Sequence, residues 1–91
     1  MKVVFAEEAW EDYLGWQAVA DKGVGLARVN LLIEEIRRHP FTGTGKPEGL
    51  KGDLAGCWSR RINVTDRLVY RVSGTKGKDQ KVEIIQCKLH Y

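Results

Sequence analysis

A carboxylate in a proline-set loop, an arginine opening a strand and a histidine beside the last residue have the most chemical reach in this chain. Glu48 lies in Gly45-Lys46-Pro47-Glu48-Gly49, Arg67 opens Arg67-Leu68-Val69-Tyr70, and His90-Tyr91 ends the sequence. A carboxylate can take a proton, and an imidazole with an ordinary pKa of about 6.5 can give one at neutral pH. A guanidinium can meet the charge that builds on a phosphate. Metal-free cleavage of RNA needs this inventory. A base removes the ribose 2′-OH proton, the oxygen attacks the adjacent phosphorus, and an acid protonates the departing 5′-oxygen. In this reading Glu48 is the base, His90 the acid and Arg67 the transition-state cation. Tyr91 offers an aromatic face to an extruded base, and Lys46, Lys51, Arg60 and Arg61 read as phosphate-contacting groups. Each residue also has a plainer reading: a surface glutamate, a terminal histidine, an arginine paired with Asp66 or Glu83, solubility charges. The combination carries the weight.

Bulk properties are compatible with that chemistry. Ninety-one residues make one small domain, and a hydrophobic content of 43% is that of a folded protein. The formal charge of +3 is mild, with a pI of about 9.0, but its distribution is uneven. Glu7, Glu8, Glu11 and Asp12 come early, whereas Lys46, Lys51, Arg60, Arg61, Arg67 and Arg71 face only Glu48, Asp53 and Asp66. The second half is thereby expected to meet a polyanion. Cys57 and Cys87 form no CxxC and read as small buried hydrophobes in strands. There is no metal-ligand cluster, no phosphate-cradling GxGxxG and no Ser-His-Asp pattern, so neither metal nor cofactor is expected. Glu7 and Glu8 follow Met1 too soon for a leader peptide. No apolar run approaches the roughly 20 residues of a membrane span, and a cytoplasmic protein is expected.

The elements that must position these groups follow from periodicity. Val3-Val4-Phe5 reads as a strand. A helix opens at Glu7 and Glu8, with Trp10, Tyr13, Leu14 and Gln17 on one face, and breaks at Asp21-Lys22-Gly23. A second helix carries Leu26, Val29, Ile33 and Ile36 and stops before Pro40. Residues 41–56 form a glycine-rich connector, long enough to be functional. Three strands follow, at about Trp58–Asn63, Arg67–Ser73 and Lys81–His90, joined by a short turn at Asn63–Asp66 and a polar loop at Gly74–Gln80. The expected class is α+β, in the order β-α-α-β-β-β, with an antiparallel sheet and two helices packed on one side. Alternation sets Arg67, Val69 and Arg71 opposite Leu68, Tyr70 and Val72. In the last strand it sets Gln86, Lys88 and His90 opposite an inward Ile85, Cys87 and Leu89. Arg60 and Arg61 point to opposite faces, and alternation leaves open which of them joins the basic surface.

Nearly the whole chain also resembles the YoeB toxins of the RelE/ParE superfamily. The resemblance rests on Trp10-Glu11-Asp12-Tyr13-Leu14, Trp16-Gln17, Ile36-Arg37-Arg38, Pro40-Phe41, Gly45-Lys46-Pro47-Glu48 and Leu50-Lys51. It continues through Trp58-Ser59-Arg60-Arg61-Ile62 and Arg67-Leu68-Val69-Tyr70 to Cys87 and His90-Tyr91. It implies an mRNA endonuclease acting in the A site of the 70S ribosome, which leaves a 2′,3′-cyclic phosphate and a 5′-hydroxyl and halts translation. It assigns the base to Glu48, the transition-state arginine to Arg67, the acid to His90 and a terminal tyrosine to Tyr91. Supporting basic roles fall on Lys51 and on Lys46, Arg60 and Arg61. It further implies a homodimer, a YefM-like antitoxin partner, and contact with operator DNA only through the antitoxin complex. The chain departs from the family at Gly49, often proline, at Cys57, typically aromatic, and in the longer Gly74–Gln80 loop. Two other readings compete: a non-nuclease ParE-like toxin that poisons a protein target, and an RNA-binding module without catalysis.

Overall fold

A computed structural model describes residues 1–88. Strand β1 (Lys2–Phe5) leads into helix α1 (Glu7–Gln17), then α2 (Val24–Arg38), β2 (Glu48–Gly49), a 3-10 turn (Gly52–Leu54), β3 (Trp58–Arg61), β4 (Arg67–Ser73) and β5 (Lys81–Gln86). Among the described residues the strands form one sheet in the order β1-β5-β4-β3-β2. The expected α+β class, with two helices against one face, is observed. Two details differ. β1 runs parallel to β5, because the helical pair carries the chain back to the same end of the sheet before the meander begins. The connector also contributes the edge strand β2, antiparallel to β3.

The core lies between the helices and one sheet face. Val29, Leu32 and Ile36 of α2 meet Leu68, Tyr70, Val82 and Ile84 there, as an apolar stripe at three- and four-residue spacing requires. In α1 the buried positions are Ala9 and Trp16, while Trp10 and Leu14 are exposed. The inward face of α1 is thus offset from the expected Trp10–Tyr13–Leu14–Gln17 stripe, of which Tyr13 packs against the core. α2 opens without a cap from its own Gly23, and the Asp21 carboxylate substitutes by accepting the N–H groups of Gly23 and Gly25 at 3.1 and 2.9 Å. Trp16 lies hard against Gly25, where a Cβ would sit 2.3 Å from the indole.

The last strand departs from simple alternation. Val69 pairs with Gln86 and Tyr70 with Ile84, so Ile85 is an extra residue in β5, a bulge that shifts every following side chain. Val82 and Ile84, before the bulge, point to the helices, Ile85 does not reach the core, the strand ends at Gln86, and Cys87 turns inward again as expected. Cys87 is buried just after the strand, as Cys57 is just before β3. Both thiols are buried as expected, though neither lies within a strand. Leu89, His90 and Tyr91 lie outside the described residues.

Candidate active site on the open sheet face

Register decides what shares the face away from the helices. Glu48 pairs with Ser59, Ser59 with Val69, and Val69 with Gln86. Residues paired across neighbouring strands project to the same side, so these four form one row across β2, β3, β4 and β5. Two positions along, Arg61 pairs with Arg67. Arg67 is thus displaced from Glu48 by two strands and two residues, roughly 12 Å between backbones at ordinary strand spacings. Glu48 is exposed on the edge strand, and its carboxylate makes no hydrogen bond or ion pair with the described residues.

The loop that carries Glu48 is strained. Gly45 has φ 88° and Lys46 φ 52°. A lysine at positive φ is uncommon, and the residue before a proline ordinarily takes an extended conformation. What holds this geometry is partly the Gly45 carbonyl, which accepts the Arg61 N–H at 2.7 Å and so docks the loop against the end of β3. Lys46 and Lys51 are both exposed near Glu48 in sequence.

Arg67 is aimed by the turn before it. Its Nη1 donates to the carbonyls of Asn63 at 2.9 Å and Asp66 at 3.0 Å, with Val64 more distant at 3.4 Å. The turn is fixed by the Asn63 side chain, which accepts the N–H groups of Thr65 and Asp66 and donates to the Asp66 carboxylate. Nε and Nη2 of Arg67 make no hydrogen bond with the described residues, which leaves the two-pronged edge that matches a phosphate. Arg61 stands directly across from it on β3, exposed. Like charges opposed across strands destabilise a sheet, and an anion between them reverses the sign.

Arg60 does something else. It points to the helix side and is fully buried, so it is not available as a phosphate-contacting group. Its Nη2 donates to the carbonyls of His39 and Thr42 (2.8 Å), its Nη1 to Thr44 (3.1 Å), and its Nε to Tyr70 Oη at 3.2 Å. Glu35 lies 3.7 Å away and accepts the Thr44 N–H at 3.0 Å. Hydrogen bonding from the Thr44 hydroxyl, then from its backbone, holds the Glu35 carboxyl below its usual range, with Arg60 adding to the effect. This cluster fixes residues 39–44, the start of the segment that ends in Glu48. Alternation puts one of Arg60 and Arg61 on the inner face without saying which, and it gives no sign of the carbonyls that receive it, which lie far off in sequence.

A second anchor lies at the other end of the row. α1 grips Cys87: Asp12 Oδ2 accepts its N–H at 3.1 Å, and Trp16 Nε1 donates to its carbonyl at 2.6 Å. Burial, together with the Asp12 charge, pushes the Cys87 thiol up to about 12. Lys88 Nζ lies 6.0 Å over the Trp16 ring, within cation–π range. The chain thus leaves β5 at Gln86, in the row that holds Glu48, and is pinned one residue later. His90 and Tyr91 follow, outside the described residues. Asp12, Trp16 and Ser59 have no role in the sequence-based reading, although all three fall within its quoted motifs. Among the described residues no three His, Cys, Asp or Glu side chains come together to hold a metal ion.

Known proteins are similar to this chain over all or nearly all of their length. The family model for the YoeB-like toxin of bacterial type II toxin-antitoxin systems matches residues 5–91. The toxin YoeB of Streptomyces coelicolor is 50% identical over 91 residues, covering all of both chains. A YoeB/ParE toxin from Agrobacterium tumefaciens superposes with a TM-score of 0.91 at 49% identity, again over all of both chains. The Staphylococcus aureus toxin, 40% identical over all of this chain and 98% of its own, matches at 0.82 in a heterotetrameric YoeB–YefM complex and at 0.83 as a YoeB dimer. With a family match spanning the open face and both of its anchors, this chain belongs to the YoeB-like toxins of bacterial type II toxin-antitoxin systems.

Proposed function

We propose that this toxin is a ribosome-dependent endoribonuclease that cuts mRNA in the A site without a metal. The observation that carries the reading is the sheet face away from the helices, where Glu48 and the opposed pair Arg61 and Arg67 share one surface around a buried Ser59 and Val69. Glu48 takes the proton from a ribose 2′-OH. The 2′-oxygen then bonds to the adjacent phosphorus, the P–O5′ bond breaks, and His90 gives its proton to the departing 5′-oxygen. The products are a 2′,3′-cyclic phosphate and a 5′-hydroxyl. Charge that builds on the non-bridging oxygens meets Nε and Nη2 of Arg67, which bond to none of the described residues, with Arg61 across from it. Tyr91 stacks on a base, and Lys46 and Lys51 hold flanking phosphates.

The reading extends to partners. The relative from S. aureus is known both as a dimer and in a YoeB–YefM complex, and we assign this chain a homodimer and a YefM-like antitoxin on that basis. An acidic antitoxin segment laid over Arg61 and Arg67 would relieve their repulsion and block the site at once. Operator DNA is reached only through that complex.

The test is cleavage of a defined mRNA, naked and on a 70S ribosome with an empty A site, with both product ends mapped. Ribosome-dependent cuts at the A-site codon that leave a 5′-hydroxyl are expected. Intact mRNA in both settings would overturn the proposal and favour a toxin that poisons a protein target.

A further inference from the structure

Two hollows lie at the far end of the sheet from Arg67. One, of about 580 Å³, is lined by Lys2, Lys78, Asp79 and Lys81 among others. The second, of about 420 Å³, is lined by Arg37, Arg38, Lys76 and neighbours, and the two share Met1 and Gln80. We propose that this continuous basic surface docks the phosphate backbone of an RNA helix, outside the reaction site.

All of its cations but Arg37 are uncommitted among the described residues. The side chains of Lys2, Arg38, Lys76, Lys78 and Lys81 make no hydrogen bond or ion pair with the described residues, and all five residues are exposed. Arg37 is already held by Glu34. Asp79, the acid lining this surface, is turned to local work, accepting the Thr75 N–H at 2.8 Å. Lys2 and Lys81 are register partners on adjacent strands, an arrangement that costs stability unless an anion lies over it.

The loop that presents Lys76 and Lys78 is built rather than slack. Lys78 N–H donates to Thr75 O at 3.0 Å, and Gly74, at φ 83°, lies so close to Asp79 that a Cβ there would be 2.5 Å from its carbonyl oxygen. A fixed loop holds its charges where the fold puts them, which lowers the ordering cost of binding.

The occupant follows from distance and composition. Arg67 and Ser73 bound β4, so this surface lies about 20 Å from the Arg61–Arg67 pair at strand rise. A ligand long enough to run from one to the other would be an extended polyanion. An acidic peptide would need apolar anchors; Phe41, half exposed and packed on Trp58 at 4.9 Å, lines only the second hollow, and no aromatic side chain among the described residues lines the first. Lysines and an arginine around shallow hollows match a phosphate row instead. The choice of RNA rests on the ribonuclease reading, but the surface can be tested without cleavage.

The experiment measures binding of a blunt RNA duplex to the full chain and to an R38Q/K76Q/K78Q variant, by fluorescence anisotropy over a range of NaCl concentrations. The variant is expected to bind about tenfold more weakly at low salt, with a log–log salt slope shallower by about two to three. Unchanged affinity and slope would overturn the proposal. So would a loss confined to an acidic peptide such as poly-glutamate, with duplex binding intact. The duplex offers no unpaired strand to cut, so a failed cleavage assay and a failed docking surface are separate results.

Discussion

Arg60 and Tyr70 complete each other's hydrogen bonding inside the sheet–helix core: Arg60 Nε donates to Tyr70 Oη at 3.2 Å, and Tyr70 Oη donates on to Pro40 O at 2.6 Å. Burial raises the Tyr70 hydroxyl above its usual range, so it stays a neutral donor. With the remaining Arg60 donors on His39, Thr42 and Thr44, the pair carries loop geometry from the core to the strained Lys46-Pro47 step and thence to Glu48. A charged side chain this deep is tolerable because nearly every donor has an acceptor.

Truncating Arg60 should therefore cost more than truncating any exposed cation. Arg60→Ala strands several carbonyls and Tyr70 Oη, and about 3–5 kcal/mol of stability should be lost. Tyr70→Phe should lose about 1–2 kcal/mol. Urea denaturation of both variants and the double variant checks this. The double variant should lose less than the sum of the singles, since the two side chains share a bond. Strict additivity would show that the bond between them contributes nothing.

Cys87 supplies a stability change at alkaline pH. Its thiol is raised from about 9 to about 12 in the folded chain. Below pH 9 both states hold the proton and the contribution is fully present. Above it the unfolded thiol ionises while the folded one does not, so stability falls as pH rises from 9 toward 12, by about 1.4 kcal/mol per unit. The Cys87→Ala variant should lack this component, and the difference in stability between it and the parent should shrink between pH 8.5 and 10.5. A constant difference would mean that the thiol titrates alike in both states.

Glu35 gives the opposite sign at low pH. Its carboxyl is depressed chiefly by the Thr44 hydroxyl, so its contribution is present above the usual carboxylate range and is lost as pH falls through the depressed value. Glu35→Gln should be less stable than the parent at neutral pH and approach it in acid. A gap that does not narrow as the pH falls would assign the effect to packing instead of charge.

How far these features could be read from sequence depends on how regular the local pattern is. β4 alternates cleanly, so the face shared by Arg67, Val69 and Arg71 is legible, and Pro40 marks the end of α2. The position of Glu48 in a strand is not, because β2 has two residues inside a glycine-rich connector and takes its register from β3. β5 misleads in detail: Val82 and Ile84 are inward, and one extra residue at Ile85 resets the alternation so that Cys87 is inward as well. The adjacent arginines Arg60 and Arg61 are the hardest case. Alternation sends them to opposite faces without saying which turns inward, and only the carbonyls of residues 39–44, brought near by the fold, make Arg60 the core residue.

Gly25 tests the anchor on Cys87. A methyl group there would stand 2.3 Å from the Trp16 ring and 3.0 Å from the Asp21 carboxylate, and the indole must move, taking Nε1 away from the Cys87 carbonyl. Gly25→Ala should destabilise by about 1–3 kcal/mol despite the better helix propensity of alanine, and should shift Trp16 fluorescence. If the position were merely permissive, the substitution would stabilise by up to about 1 kcal/mol.

The opposed arginines separate stability from activity. Arg61 and Arg67 are register partners on the open face, and removing one charge relieves a cross-strand repulsion. Arg61→Gln should raise stability by a few tenths to about 1 kcal/mol while lowering ribosome-dependent cleavage. Arg67→Lys keeps the charge but loses the fork that the turn carbonyls aim. Its kcat should fall about 10²-fold or more, with only a modest loss of stability, since the bonds from Nη1 to the Asn63 and Asp66 carbonyls are exposed or partly so. Measured together by thermal melting and single-turnover cleavage, the two variants should move in opposite directions in stability and in the same direction in rate. Loss of stability in Arg61→Gln would show that something already neutralises the pair in the free protein. Full activity in Arg67→Lys would show that charge alone, without the guanidinium geometry, serves the transition state.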